Sequence, residues 1–87
     1  MPVHVYLMPG MAASPMIFDY IKLPQDHFIV HRLHWIIPNK EDTLQQYAHK
    51  MIEHIKHDNP ILIGVSFGGV LVQEIARMIP VKKMVII

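Results

Sequence analysis

Ser66 stands between two glycines in the run Gly64-Val65-Ser66-Phe67-Gly68-Gly69, where the apolar segment Ile61-Leu62-Ile63 gives way to a helical pattern. A serine hydroxyl is a weak nucleophile until a neighbouring base takes its proton and nearby donors hold the charge that develops on its target. A sharp turn from strand to helix serves that chemistry by lifting the hydroxyl above the sheet edge. The glycines have a steric role in such a turn. Strand and helix backbones approach so closely that side chains at 64 and 68 would collide, and Gly69 extends the clearance. A flexible loop would use similar residues, and so would a phosphate-cradling turn with its N–H groups and positive helix end aimed at an anion. Neither Gly-x-Gly-x-x-Gly nor Gly-Lys-Ser/Thr occurs in the chain, which favours the mounted serine.

The elements needed to hold that turn must come from 87 residues, enough for one small domain. Hydrophobic residues make up 52% and charged residues 17%, a balance that suits a globular chain rather than a disordered one. The net charge of +1, without a basic block or interleaved aromatics, gives nucleic acid nothing to bind, and Lys82-Lys83 reads as a solvated strand entrance. Cysteine is absent, so disulfides and thiolate metal sites are excluded. No apolar run approaches the roughly 20 residues of a membrane span and no leader pattern opens the chain, so a cytoplasmic location is expected.

Along the chain, Val3 to Met8 reads as a first strand that Pro9-Gly10 breaks. A short helix is expected next, capped by Ser14 with Pro15 as its first residue and carrying Met16, Ile17 and Tyr20. Phe28 to Leu33 reads as a second strand. The clearest helix begins after Asp42 or Thr43, with Leu44, Tyr47, Ala48, Met51, Ile52 and Ile55 on one face. Asp58-Asn59-Pro60 stops it, and Ile61 to Val65 form the third strand. Phe67 to Ile79 is a helix apolar on most sides, leaving Gln73, Glu74 and Arg77 for water, and Met84 to Ile87 form a fourth strand. Strands alternating with helices predict an α/β domain with a mostly parallel sheet.

Taken together, these residues resemble the N-terminal part of an α/β-hydrolase catalytic domain. The resemblance rests on Met8-Pro9-Gly10-Met11 after the first strand, on Gly64 to Gly69 after the third, and on one strand and one long helix between them. It implies a three-layer fold with strand order 2-1-3-4 over residues 1–87. It also implies a serine hydrolase acting on an ester, thioester or amide, with Ser66 as nucleophile and an oxyanion hole made by the backbone N–H groups of Phe67 and Met11. The side chains of Met11 and Phe67 would then line the pocket for a small acyl substrate. Many members of the family carry His-Gly where this chain has Pro9-Gly10, a change that leaves both donors in place. No cofactor and no metal are implied.

The family orders its triad as serine, acid and histidine, yet no Asp or His follows Ser66. The catalytic acid and histidine are therefore expected from a further C-terminal segment, with the 87 residues inactive alone and about a third of a domain of 200–250 residues. That segment, or a partner, would cover the sheet face opposite the two longer helices, where alternate residues of Ile61-Leu62-Ile63 and Val85-Ile86-Ile87 would otherwise be wet. Of the seven histidines, His54 and His57 are read as a surface pair on the long helix, His49 likewise, His4 and His27 as edge or loop residues, and His31 and His34 as strand and loop surface. The pair His54 and His57 belongs to no His-x-x-x-His or His-Glu-x-x-His pattern that would point to a metal. Two other classes fit parts of the pattern: a non-catalytic α/β interaction module, and a small flavodoxin-like anion binder using the turn at Ser66.

Overall fold

A computed structural model describes residues 3–10, 27–36 and 41–87. The expected short helix around 16–20 lies outside these, as do Met11 and residues 37–40.

The first strand, β1 (Val3–Met8), runs through the middle of the molecule, and Val5, Tyr6, Leu7 and Met8 are all buried. Burial of consecutive residues means that both faces of the strand are covered, the pattern expected for a central parallel strand. On one side it pairs with β2 (Phe28–Arg32), matching Val5 with Val30 and Tyr6 with His31. On the other it pairs with β3 (Ile61–Gly64), matching Val5 with Ile61 and Met8 with Gly64. β4 (Lys83–Ile86) joins β3 at the outer edge. All pairs are parallel and the order is β2-β1-β3-β4. The α/β class and strand order thus agree with the reading of the sequence.

Between β2 and β3 lies α1 (Leu44–Ile52), and between β3 and β4 lies α2 (Phe67–Met78). Thr43 caps α1 by a reciprocal pair of bonds: its Oγ1 accepts the Gln46 N–H at 3.1 Å, and Gln46 Oε1 accepts the Thr43 N–H at 2.9 Å. The helix stops at Ile52 rather than continuing to Ile55. Its last turn tightens as His54 N–H reaches Met51 O and Ile55 N–H reaches Ile52 O, both at 2.9 Å. The Lys56 N–H leaves the helix altogether and donates to Tyr6 Oη on β1 at 3.0 Å. Asn59, at φ 48°, then turns the chain into β3.

The two helices share one face of the sheet. Tyr6, Met8 and Leu62 pack there with Tyr47, Ala48 and Met51 of α1 and Leu71, Val72 and Ile75 of α2. Tyr47 also secures the loop after β2, since its Oη accepts the Ile36 N–H and donates to Ile36 O, each at 2.7 Å. Burial raises the ionisation point of that phenol. Val5, Leu7 and Ile63 form a second cluster on the opposite face.

Two expectations about exposure change. Ile63 is 7% exposed rather than wet, because Val5 and Leu7 meet it across the strand and Ile61, Val65 and Val85 surround it. The wet apolar residues of β4 are Met84 and Ile86, which register with Leu62 and Gly64 on the helix side of the edge strand, together with Ile87 after it. On α2, Val70 and Met78 are exposed as well, since only the stripe through Gly68, Leu71, Val72 and Ile75 meets the sheet and α1. Among the described residues, no helix is long and apolar enough to cross a membrane.

Candidate active site at the turn from strand to helix

Three strands meet at the turn after β3. The Val65 N–H donates to Met8 O at 3.0 Å, and the Ser66 N–H donates to Ile87 O at 3.0 Å, so the turn is held by β1 on one flank and by the end of β4 on the other. Between these anchors Ser66 takes φ 56° and ψ −122°. A side chain rarely adopts that conformation, and holding it costs about 1–3 kcal/mol. Ser66 is exposed and its hydroxyl makes no capping bond to α2.

The glycines act by clearance. None of them has a positive φ, so no dihedral demands their presence. A Cβ on Gly64 would lie 2.5 Å from Gly68 O and 2.6 Å from Gly69 Cα, and one on Gly68 would lie 2.5 Å from Met8 O and 2.6 Å from Pro9 O. Each clash is with backbone, which cannot rotate away. Gly69 differs, because its Cβ would meet Ile86 Cγ2 at 2.7 Å, the tip of a side chain on the edge strand.

The N–H groups of the first helical turn are divided by this geometry. Gly68 N–H donates to Val65 O and Gly69 N–H to Ser66 O, both at 2.9 Å. Phe67 N–H, the first of α2, has no acceptor among the described residues. It sits one residue beyond Ser66 at the positive end of the helix, where a developing anion is favoured. The second expected donor, Met11, lies outside the described residues. Pro9 and Gly10, which lead to it, are buried, and Pro9 O accepts the Trp35 Nε1–H at 3.0 Å.

Trp35 was not singled out by the sequence. It lies just past β2, at the same end of the parallel strands as Ser66, and its ring meets Phe67 edge-on at 5.7 Å and Tyr47 at 5.6 Å. The half-exposed Phe67 ring and Trp35 make an aromatic wall beside the serine. The available signal was that Trp35 is the only tryptophan of the chain and follows a strand running toward the end that carries Ser66.

Among the described residues, no imidazole or carboxylate is hydrogen-bonded to Ser66. His4, His31 and His57 gather instead toward the opposite end of the strands. Register puts His31 level with Leu62 and His4 level with Pro60, about 13 and 20 Å below Ser66 at the usual rise per residue. His57 is not a helical surface partner of His54, because the chain has left α1 by then. Its ring stacks on His4 at 3.3 Å and its Nδ1 lies 2.7 Å from Tyr6 Oη. His4 Nδ1 and His31 Nε2 are hydrogen-bonded at 2.9 Å. Loss of surrounding water, then the neighbouring imidazoles, hold His4 and His31 below the ordinary histidine range and favour their neutral forms.

Comparison of the chain with protein-family models, with curated proteins and with solved structures finds no match.

Proposed function

We propose that the chain is the N-terminal part of an α/β-hydrolase-like serine hydrolase that acts on an ester, thioester or amide. The observation that carries the reading is the backbone of Ser66: a strained, exposed serine at the end of an inner parallel strand, with Phe67 N–H left open beside it. Strain of this kind collects at functional sites because the surrounding structure must hold it in place.

In this mechanism Ser66 Oγ attacks the carbonyl carbon of a small acyl substrate while a base takes its proton. The carbonyl oxygen becomes an oxyanion, held by Phe67 N–H and, in the expected arrangement, by Met11 N–H. One such donor contributes about 10²–10³ in turnover in a well-studied serine hydrolase. Trp35 and Phe67 offer the acyl group an apolar wall. The acid and histidine would come from sequence outside these 87 residues, which also explains why the histidines gathered near the other end of the sheet take no part. Loss of the base costs about 10⁶ in turnover in the same kind of enzyme, so the chain alone is expected to be nearly inactive.

The test is labelling of a longer protein containing this chain with a fluorophosphonate, which phosphonylates an activated serine. Labelling abolished by Ser66→Ala is the expected result. A folded longer protein that stays unlabelled, or that labels equally well as Ser66→Ala, refutes the proposal.

A further inference from the structure

The sheet brings together, well away from Ser66, three histidines that are far apart in sequence. His4 lies on β1, His31 on β2, and His57 on the turn between α1 and β3. His4 and Tyr6 point to the helix-covered face, and His31 stands beside Tyr6 in register. One ring nitrogen from each histidine lies within 4.8 Å of the other two. We propose that His4, His31 and His57 form a binding site for one transition-metal dication of the zinc, copper or nickel kind.

Bonds of 2.0–2.1 Å in a tetrahedral site set neighbouring ligand nitrogens about 3.4 Å apart. The His4–His31 contact at 2.9 Å must therefore open by about 0.5 Å, while the widest separation of 4.8 Å must close by about 1.4 Å. The two strand histidines are fixed by the ladder between β1 and β2. The His57 ring, stacked 3.3 Å from His4 and within 7° of parallel, must also turn out of that stack for both in-plane lone pairs to meet one ion; it lies past the end of α1 on a turn without regular structure and is the ligand that moves.

The proton positions also work. A metal held by His4 Nδ1 and His31 Nε2 replaces their mutual hydrogen bond and leaves each ring protonated on its other nitrogen. If His57 binds through Nε2, its proton must sit on Nδ1. Tyr6 Oη lies 2.7 Å from that Nδ1 and already accepts the Lys56 N–H, so it keeps a second lone pair for the His57 proton. Tyr6 thus becomes the outer-shell partner that orients a ligating histidine.

Three imidazoles without a carboxylate suit a borderline metal and not Mg²⁺ or Ca²⁺, which prefer oxygen. A cleft of about 400 Å³ bordered by Tyr6, His31, Arg32, His54, Lys56 and His57 gives access from solvent. The cationic residues on its rim lower the affinity for a dication, so micromolar binding is expected. A bound ion would tie β1, β2 and the turn before β3 together, a role separate from the serine chemistry.

The decisive experiment is calorimetric titration of the 87-residue chain with Zn²⁺, repeated with Co²⁺ and read by its visible absorption. One ion per chain and an intense, low-symmetry Co²⁺ spectrum are expected, with a Zn²⁺-dependent rise in melting temperature. His31→Gln and His57→Gln should each weaken binding more than tenfold. Tyr6→Phe should weaken it by about 10–100-fold, as loss of an outer-shell partner does. His27→Gln and His49→Gln should leave it within twofold. His57→Gln changes a turn residue, and its circular dichroism reports whether the fold persists. Absence of Zn²⁺ binding, binding retained within twofold in a folded His57→Gln, or equal weakening by the His27 and His49 variants would overturn the site.

Discussion

Adding one methyl group at each glycine of the turn tests whether its geometry is as tight as the backbone contacts imply. In Gly68→Ala the new Cβ would lie 2.5 Å from Met8 O, whereas ordinary contact begins at 3.4 Å, so something must move by about 0.9 Å. The atom that has to move is the same carbonyl that accepts the Val65 N–H at 3.0 Å. Overpacking of about 1–3 kcal/mol, added to a weakened hydrogen bond of about 1 kcal/mol and offset by the gain of about 1 kcal/mol for alanine over glycine in a helix, gives an expected loss of about 1–3 kcal/mol. For a domain of this size that lowers the melting temperature by about 4–24 °C. Gly64→Ala should behave alike, because its Cβ meets the backbone of Gly68 and Gly69. Gly69→Ala should not. Its obstacle is the Ile86 side chain, 48% exposed, which can leave its preferred rotamer at a cost of about 0.5–1.5 kcal/mol. The helix gains about 1 kcal/mol on replacing glycine by alanine, so the two effects nearly cancel. In an Ile86→Ala background the obstacle is gone, and Gly69→Ala should stabilise relative to that background. Urea and thermal melts of the five variants supply the numbers. A Gly68→Ala protein within about 0.5 kcal/mol of the parent would refute the reasoning, and so would a Gly69→Ala penalty that survives removal of the Ile86 side chain.

Ser66→Gly removes a side chain from φ 56° and should raise stability by about 1 kcal/mol, the relief of strain being partly offset by the greater freedom of unfolded glycine; a lower melting temperature would mean that the serine is not strained. Tyr47→Phe leaves both the N–H and the carbonyl of Ile36 without their present partner and should cost about 1–3 kcal/mol, read by denaturant titration; a neutral result would show that water replaces the hydroxyl. Trp35→Phe loses the bond to Pro9 O and should cost about 1 kcal/mol while slowing fluorophosphonate labelling of the longer protein. An unchanged labelling rate would separate Trp35 from the serine site.

The parts of the fold that were legible in the sequence are those written in neighbouring residues. β1 and β3 are short apolar runs, Asp42 or Thr43 marks the start of α1, and the glycine spacing marks the turn at Ser66. The end of α1 was not legible, because Tyr6 Oη on β1 competes for the Lys56 N–H and no local pattern reveals that. The histidine cluster was hidden for the same reason. His4 and His31 are 27 positions apart and Tyr6 and His57 are 51 apart, so their contacts arise from parallel register and not from spacing. Trp35 and Phe67 meet because β2 and β3 flank β1 and run in the same direction, a fact of topology.

That topology also explains why the strained serine can persist. In a parallel sheet every strand finishes at the same end, so the residue leaving an inner strand has the ends of its neighbours on both sides. β1 supplies Met8 O to Val65, and the residue after β4 supplies Ile87 O to Ser66 while its own N–H returns to Gly64 O at 2.9 Å. A φ of 56° at a surface loop would relax by rotation. Here rotation about Ser66 would disturb bonds on both flanks, each contributing about 1 kcal/mol, which together are comparable with the strain itself. The buried stripe of α2, including Leu71, Val72 and Ile75, fixes the direction in which the chain must leave the turn. The backbone that carries the hydroxyl is therefore held in place by groups that the proposed chemistry leaves untouched, so that the main chain around the serine and the open N–H of Phe67 needs no reorganisation to meet a carbonyl. Preorganisation of that kind is what makes a fixed dipole more effective than water at a developing charge.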